Sequence, residues 1–188
     1  MSKAFTKEDD GGNGAEDDFE EVDPLPADIK NLMTPLGHKT LSDELEHLIR
    51  FERPKIVEIV SWAAGNGDRS ENGDYIYNKK KLREIDRRLR YLTKRLETAE
   101  IVDPKRQQGI EQVFFGATVT YVDDEDNETT VKLVGVDEAD FAVGKINWIS
   151  PVAKALFKKR IGDNATINAV GGVIAIEIID VVYETEEI

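Results

Sequence analysis

A repeated apolar spacing in the middle of the chain constrains the fold more than any other feature. Apolar side chains recur at steps of three and four residues, as on a helix that packs against a partner helix, at Leu82, Ile85, Leu89, Leu92 and Leu96. An upstream series with the same spacing, apolar except for its glutamate, comprises Leu45, Ile49, Glu52, Ile56, Ile59 and Ala63. Because only a short turn at 65–69 joins the two predicted helices, the sequence predicts an antiparallel helical hairpin.

The second helix of this hairpin is predicted to be long, with an acidic start and a basic flank. It is predicted from about Asn72 to Ala99, a length of about 40 Å at about 1.5 Å per residue. Cations recur along one flank at helical spacing, at Lys79, Arg83, Arg87, Arg90 and Lys94. The turn that precedes the helix carries Asp68, Glu71 and Asp74. The sequence therefore predicts a rod with carboxylates at its tip and cations along its side.

The charge of the chain is unevenly distributed. The 188 residues carry a net charge of −13, yet residues 79–95 contain nine basic and only two acidic side chains. This segment is therefore the part of the chain that could meet a polyanion. Residues 1–33 contain ten acidic and three basic side chains and few large apolar ones, so we expect a disordered acidic tail there.

Two compositional features bear on the environment of the protein. The chain has no cysteine, which excludes disulfides and thiolate zinc sites and fits a reducing compartment, so we expect a cytoplasmic protein. No apolar run approaches the roughly 20 residues that a membrane-spanning helix needs, so we expect no membrane partner.

The end of the hairpin nearest the tail has a clear start signal and one ambiguity. Thr34-Pro35 reads as the start of the first helix, with Thr34 as its N-cap. Gly37 lies so close to this start that the helix could instead begin near Leu41. Pro54 is expected to kink or break the first helix, because its ring removes a backbone donor and clashes with the preceding turn.

The C-terminal part predicts a small α+β domain with an antiparallel sheet and one short helix. Ser150-Pro151 is the start signal of that helix, over 152–159. The predicted strands are 113–122, 129–136, 146–149, 165–170 and 173–183. We find no Ser-His-Asp arrangement and no nucleophile beside a base, so the chain is poorly equipped to be an enzyme on its own.

The tip carboxylates allow two interpretations. Asp68 and Glu71 are three residues apart, and two such hard oxygen ligands form an incomplete Mg²⁺ site that another macromolecule would have to complete. Alternatively, Glu71 and Asp74 only complement the positive N-terminus of the helix. The basic flank has a corresponding alternative as a simple solvated face.

The segment GDRSENGDYIYNKKKLREIDRRLRYLTK at 67–94 resembles the bacterial Gre transcript cleavage factors of the GreB type. The resemblance continues through IVDP, VFFGATV, VGVDEAD and SPVAKALFKKRIGD and covers about residues 34–184. It implies an N-terminal antiparallel coiled-coil hairpin over 34–104, a linker over 105–112 and an FKBP-like domain over 113–188. It also implies binding to RNA polymerase at its secondary channel.

The resemblance further implies an activity and the residues that carry it. The factor would stimulate the polymerase's own Mg²⁺-dependent cleavage of the 3′ end of backtracked nascent RNA. Asp68 and Glu71 would help to hold a Mg²⁺ ion shared with the polymerase active centre, and the factor alone would bind no cofactor. The supporting tip residues would be Arg69, Ser70 and Asn72. The residues facing the extruded RNA would be Lys79, Lys80, Arg83, Arg87 and Arg90. The residues docking on the channel rim would be Ser150 and Pro151. A monomer is expected.

Two departures from the family pattern stand out. Gly73 replaces the alanine usual in the family's E-N-A motif, and Ile149 occupies a position where an acidic residue is typical of the GreB type. Three other functions remain open: a non-catalytic regulator of the same channel, a prolyl isomerase or chaperone, and an autonomous ribonuclease. The presence of both Asp68 and Glu71 argues against the first.

Overall fold

The computed structural model describes residues 25–26, 28–65, 71–169 and 172–184. Most of the predicted acidic tail lies outside these residues. Its last part, however, is folded: Asn31–Met33 form strand β1, which pairs in parallel with β2 (Ala99–Ile101). Met33 is fully buried in the hairpin core, so burial of an apolar side chain ends the tail earlier than residue 33.

The first helix begins at the predicted cap. Helix α1 spans Pro35–His47, and the Thr34 hydroxyl accepts a hydrogen bond from the Gly37 N–H at 3.0 Å. The alternative start near Leu41 is therefore wrong. Leu41 instead belongs to a small core with Met33 and Leu92, against which Leu45, Leu48 and Leu96 pack.

Pro54 does not break the helix. One π-helical turn, Leu48–Glu52, leads directly into α2, Arg53–Ala64. The Arg53 N–H donates to the Leu48 carbonyl, five residues back, and this wider turn accommodates a proline that has no N–H to donate. The extra residue shifts the phase of the helix, so Ile49, predicted to face the partner helix, is 52% exposed.

Helix α3, Gly73–Glu97, is the long helix of the hairpin, within two residues of the predicted bounds at each end. It packs against both α1 and α2. The predicted apolar face is largely correct, because Ile56 and Ala63 are buried in α2 and Ile85 and Leu92 in α3.

The C-terminal part is a five-stranded sheet with one short helix. In sheet order the strands are β5 (Lys145–Asn147), β4 (Glu128–Val134), β3 (Thr118–Asp123), β7 (Gly172–Val182) and β6 (Asn164–Ala169). The expectation of a wholly antiparallel sheet is wrong at one edge, since β5 pairs in parallel with β4. The chain makes this reversal through two 3₁₀ turns, Val136–Glu138 and Phe141–Val143.

Two predicted elements are shorter in the structure, and the segments that they leave out pair with each other. The predicted strand over 113–122 begins only at Thr118, and helix α4 spans Pro151–Leu156 rather than 152–159. The Val113 N–H donates to the Lys159 carbonyl and the Lys158 N–H donates to the Val113 carbonyl, both at 2.8 Å. The hydrogen-bonding groups of both segments are therefore used by each other and not by a continued strand or helix.

The core of this part lies between one face of the sheet and α4. It is formed by apolar side chains from every layer, among them Val113, Val119, Leu133, Leu156, Ile176 and Ile178. In the part of the chain that the structure describes, no helix is long and apolar enough to cross a membrane.

Candidate functional site

The tip of the hairpin is organised by Asn72. Its side-chain oxygen accepts hydrogen bonds from the backbone N–H groups of Asp74 at 3.1 Å and Tyr75 at 3.2 Å, which caps α3. Its amide nitrogen donates to the Ala63 carbonyl at 3.0 Å, in the last turn of α2. One side chain thus starts the second helix and ties it to the first, and Glu71 directly precedes it at the end of the rod.

The predicted tip acids fall partly within the described structure. Glu71 directly precedes the cap and is exposed, and Asp74 is exposed in the first turn of α3. Asp68, Arg69 and Ser70 lie outside the described residues. The described residues contain no group of three or more His, Cys, Asp or Glu side chains that could hold a metal ion.

Gly73, the departure from the family motif, is the first residue of α3. A Cβ built on it would meet no atom within 4 Å. Glycine is therefore not required here by close packing, and its expected effect is the backbone entropy that it adds to the helix start.

The predicted RNA-facing cations lie on α3, on a different side from Arg88 and Arg95. Lys80 and Arg90 are exposed, whereas Lys79, Arg83 and Arg87 are partly buried. The Lys79 ammonium lies over the Tyr75 ring at 5.4 Å. These five positions are spaced by one, three, four and three residues and fall within about 100° around the helix axis, so they form one continuous face, here called the basic row.

Sequence reasoning did not separate the basic row from Arg88 and Arg95, which bind distant elements of the fold. Arg88 binds Glu44 of α1 through two hydrogen bonds of 2.7 and 2.8 Å. Arg95 is 1% exposed and forms an ion pair with Asp137 at 2.6 Å. Arg88 and Arg95 are seven residues apart and so share a face away from the basic row. This spacing is the signal by which the sequence could have separated Arg88 and Arg95 from the basic row. It does not identify their partners, which are distant in sequence.

The predicted docking residues start helix α4. The Ser150 hydroxyl accepts a hydrogen bond from the Ala153 N–H at 3.2 Å, and Pro151 follows as an exposed residue in the first turn. Ile149 is partly buried, and its N–H donates to the Asn147 side chain at 3.0 Å. This turn is therefore held by its own caps, and Pro151 is the member that presents surface.

The chain matches two family descriptions that together span both parts of the fold. Residues 31–101 match "Transcription elongation factor, N-terminal", and residues 107–183 match "Transcription elongation factor, GreA/GreB, C-term". The first match begins at the first residue of β1 and ends at the last residue of β2.

Individual relatives agree with these matches. Transcription elongation factor GreB of Neisseria meningitidis serogroup B is 55% identical over 159 residues, which cover 85% of this chain and 98% of the relative. The protein of the same name from Yersinia pestis is 47% identical over 154 residues, covering 81% of this chain and 89% of the relative. The chain therefore belongs to the GreA/GreB family of transcription elongation factors.

Proposed function

We propose that this protein is a transcript cleavage factor of RNA polymerase. It docks at the polymerase's secondary channel and extends its hairpin, as an antiparallel coiled coil, towards the active centre. The polymerase then cleaves the 3′ part of a backtracked nascent RNA and resumes elongation. The observation that carries this proposal is an exposed carboxylate, Glu71, at the end of a helical rod whose tip Asn72 organises.

A Mg²⁺ ion shared with the polymerase fits the tip better than one bound by the factor alone. Glu71 is exposed, and the described residues bring no third ligand to it. Together with Asp68 it would offer two hard carboxylate oxygens, which Mg²⁺ accepts when other groups complete its shell. When bound there, Mg²⁺ supplies charge neutralisation and activation of a water for attack on a phosphodiester. The factor is then no enzyme by itself, but a donor of two carboxylates, with Arg69 and Ser70 in support.

In this proposal the remaining parts of the molecule attract the RNA and dock the factor on the polymerase. The basic row attracts the extruded RNA through its backbone charge, so this contact weakens as salt rises. The C-terminal part, as an FKBP-like docking domain, places Ser150 and Pro151 against the channel rim. A monomer acting in the cytoplasm suffices for both roles.

The test uses a stalled, backtracked elongation complex with 5′-labelled RNA and Mg²⁺. Wild type is compared with Asp68→Asn combined with Glu71→Gln, with Glu58→Gln combined with Glu84→Gln as a matched control, and with no factor. Glu58 and Glu84 are exposed acids in the middle of α2 and α3, respectively. We expect rapid RNA shortening with wild type and the control but not with the tip variant, at unchanged polymerase binding.

Three outcomes would contradict the proposal. Equal shortening with the tip variant would place the active feature elsewhere. Binding without shortening by wild type would make the protein a non-catalytic regulator of the channel. Cleavage of naked RNA by the factor and Mg²⁺ alone would make it a ribonuclease.

A further inference from the structure

The base of the hairpin meets the sheet domain through two adjacent carboxylates, Asp137 and Glu138. Both lie in the 3₁₀ turn Val136–Glu138 that directly follows β4, within the VGVDEAD segment. Each reaches a different helix of the hairpin, and together with their hairpin partners they form what is here called the clamp.

Asp137 holds the last turns of α3. The Arg95 guanidinium donates to its Oδ2 through Nε at 2.8 Å and lies 2.6 Å from it through Nη2, and the Tyr91 hydroxyl donates to Oδ1. The side chains of Arg95 and Asp137 are only 2% and 7% exposed. Because both side chains are buried, separating them would leave two uncompensated charges in the interior, so this ion pair resists opening.

The same arginine ties the clamp to β1. Arg95 Nη2 donates to the Asn31 side-chain oxygen at 2.6 Å, and Asn31 Nδ2 donates back to the Arg95 carbonyl at 2.7 Å. Asn31 is itself buried. The strand before α1, the end of α3 and the turn of the sheet domain are therefore joined in one buried polar network.

Glu138 holds the start of α1. Its Oε1 accepts from the Thr34 N–H at 2.9 Å and the Gly135 N–H at 3.1 Å, and its Oε2 accepts from the Thr34 hydroxyl. The contact is so close that a Cβ on Gly37 would lie 2.1 Å from the Glu138 carboxyl carbon. This accounts for the glycine in the first turn of α1, where the sequence offered no reason for it.

We propose that Asp137 and Glu138 are positioning residues that fix the direction of the hairpin relative to the sheet domain. Two attachments at the base, one to the start of α1 and one to the end of α3, restrain rotation as well as separation. The tip lies about 35 Å along α3 from Arg95 at about 1.5 Å per residue, so a rotation of about 10° moves it by about 6 Å. A displacement of only about 1 Å can cost about a hundredfold in rate at a reacting centre.

This inference rests on the proposed function, because the direction of the tip matters only if the tip acts at a fixed place on the polymerase. In that setting the sheet domain docks and the clamp determines where the carboxylates arrive. Loss of the clamp should therefore reduce the maximal cleavage rate while leaving the affinity for polymerase unchanged.

The first measurement follows the direction of the hairpin itself. The chain has no cysteine, so spin labels at Ser61→Cys near the tip and Thr166→Cys in β6 report one distance distribution. It is recorded for wild type, for Asp137→Asn combined with Glu138→Gln, and for Asp180→Asn combined with Glu177→Gln. The last pair makes the same acid-to-amide changes at exposed positions of β7. We expect the distribution to broaden only in the clamp variant.

The second measurement is cleavage of the backtracked complex at saturating factor, with the dissociation constant for polymerase measured in parallel. We expect the maximal rate of the clamp variant to fall about tenfold or more while its dissociation constant stays within about twofold of wild type. Thermal unfolding verifies that each variant is folded. If the double variant does not fold, Tyr91→Phe, which removes one hydrogen bond to Asp137 and keeps the ion pair, should give a smaller broadening and a smaller rate loss.

The two proposals fail in different ways. An unchanged distance distribution in folded clamp variants overturns the positioning role, and so does a broadened one with an unchanged maximal rate. If wild type itself stimulates no cleavage, the proposed function is wrong, whatever the distances show.

Discussion

At the scale of single residues, the side chains that matter most make contacts in two directions. Asn72 caps α3 with its oxygen and reaches Ala63 with its nitrogen. Thr34 caps α1 and also donates to Glu138. In each case the residue that caps a helix also makes a contact between elements. Its substitution should therefore lower the free energy of unfolding by more than the loss of a cap alone.

Replacing Asn72 tests this double role. Asn72→Ala removes both contacts and should lower the free energy of unfolding by about 1–3 kcal/mol, the sum of a cap and one further hydrogen bond. Asn72→Asp retains the capping oxygen and loses only the bond to Ala63, so it should be less destabilising. Urea unfolding of the three proteins measures the difference. Equal destabilisation by the two substitutions would contradict a contribution from the cap.

The Tyr91 hydroxyl makes the stability of the clamp depend on pH in the alkaline range. Burial, followed by the hydrogen bond to Asp137, raises the pKa of the Tyr91 hydroxyl well above its usual value of 10.0. The folded state therefore keeps a proton that the unfolded chain loses, so this stabilisation is complete below about pH 10 and is lost as pH rises towards the folded pKa.

We therefore expect the free energy of unfolding of wild type to fall between about pH 10 and pH 11.5 more steeply than that of Tyr91→Phe. Urea midpoints at pH 8, 10 and 11 in both proteins provide the measurement. Parallel pH profiles would show that Tyr91 does not retain its proton in the folded state.

At the scale of elements, the cations of helix α3 lie on two different sides of the helix. Arg88 and Arg95 hold α3 to Glu44 and to Asp137, whereas the basic row faces elsewhere. The net charge of a helix therefore does not separate these groups, whereas the position of each cation around the helix axis does.

Charge reversal on the basic row should weaken RNA binding specifically. Lys80→Glu combined with Arg90→Glu changes two exposed members of the row. Lys55→Glu combined with Lys105→Glu is the control, with the same change in net charge at exposed positions outside α3. Binding of single-stranded RNA at several salt concentrations should show a salt slope smaller by about 0.7 per lost phosphate contact in the first variant only. Equal effects of the two variants would show that the basic row acts on RNA only through the net charge of the protein.

At the scale of the whole molecule, two opposite charge distributions lie on one chain. Residues 1–24 contain nine acidic and two basic side chains and precede the family match, which begins at residue 31. The excess negative charge of residues 1–24 acts over distances of about a Debye length, so it should oppose the approach of RNA to the basic row.

Removal of residues 1–24 changes the net charge from −13 to −6 and should tighten binding of single-stranded RNA at low salt. The gain should fade as salt rises above about 0.15 M, where the Debye length falls to about 8 Å. A full-length variant with the nine acids changed to amides separates charge from chain length. A gain on truncation that the amide variant lacks would contradict the electrostatic explanation.

Much of the hairpin follows from the sequence because its signals are local. The spacing of Leu82 to Leu96 sets the buried face of α3, and Thr34 and Asn72 mark two helix starts by a side-chain oxygen acting within three residues. The tip motif around Glu71 likewise needs no distant partner to be recognised. For the same reason the boundaries of α3 agree with the structure within two residues.

The tertiary structure decided those features that depend on partners far along the chain. Pro54 is accommodated by a π-helical turn, the end of the tail is folded by pairing with residues 99–101, and β5 joins the sheet in parallel. The clamp is the clearest case: Gly37 has its reason in Glu138, 101 positions later, and Arg95 has its partner in Asp137. A local pattern specifies how a segment folds, but whether a charge is solvent-exposed or paired in the interior depends on which distant surface the fold brings against it.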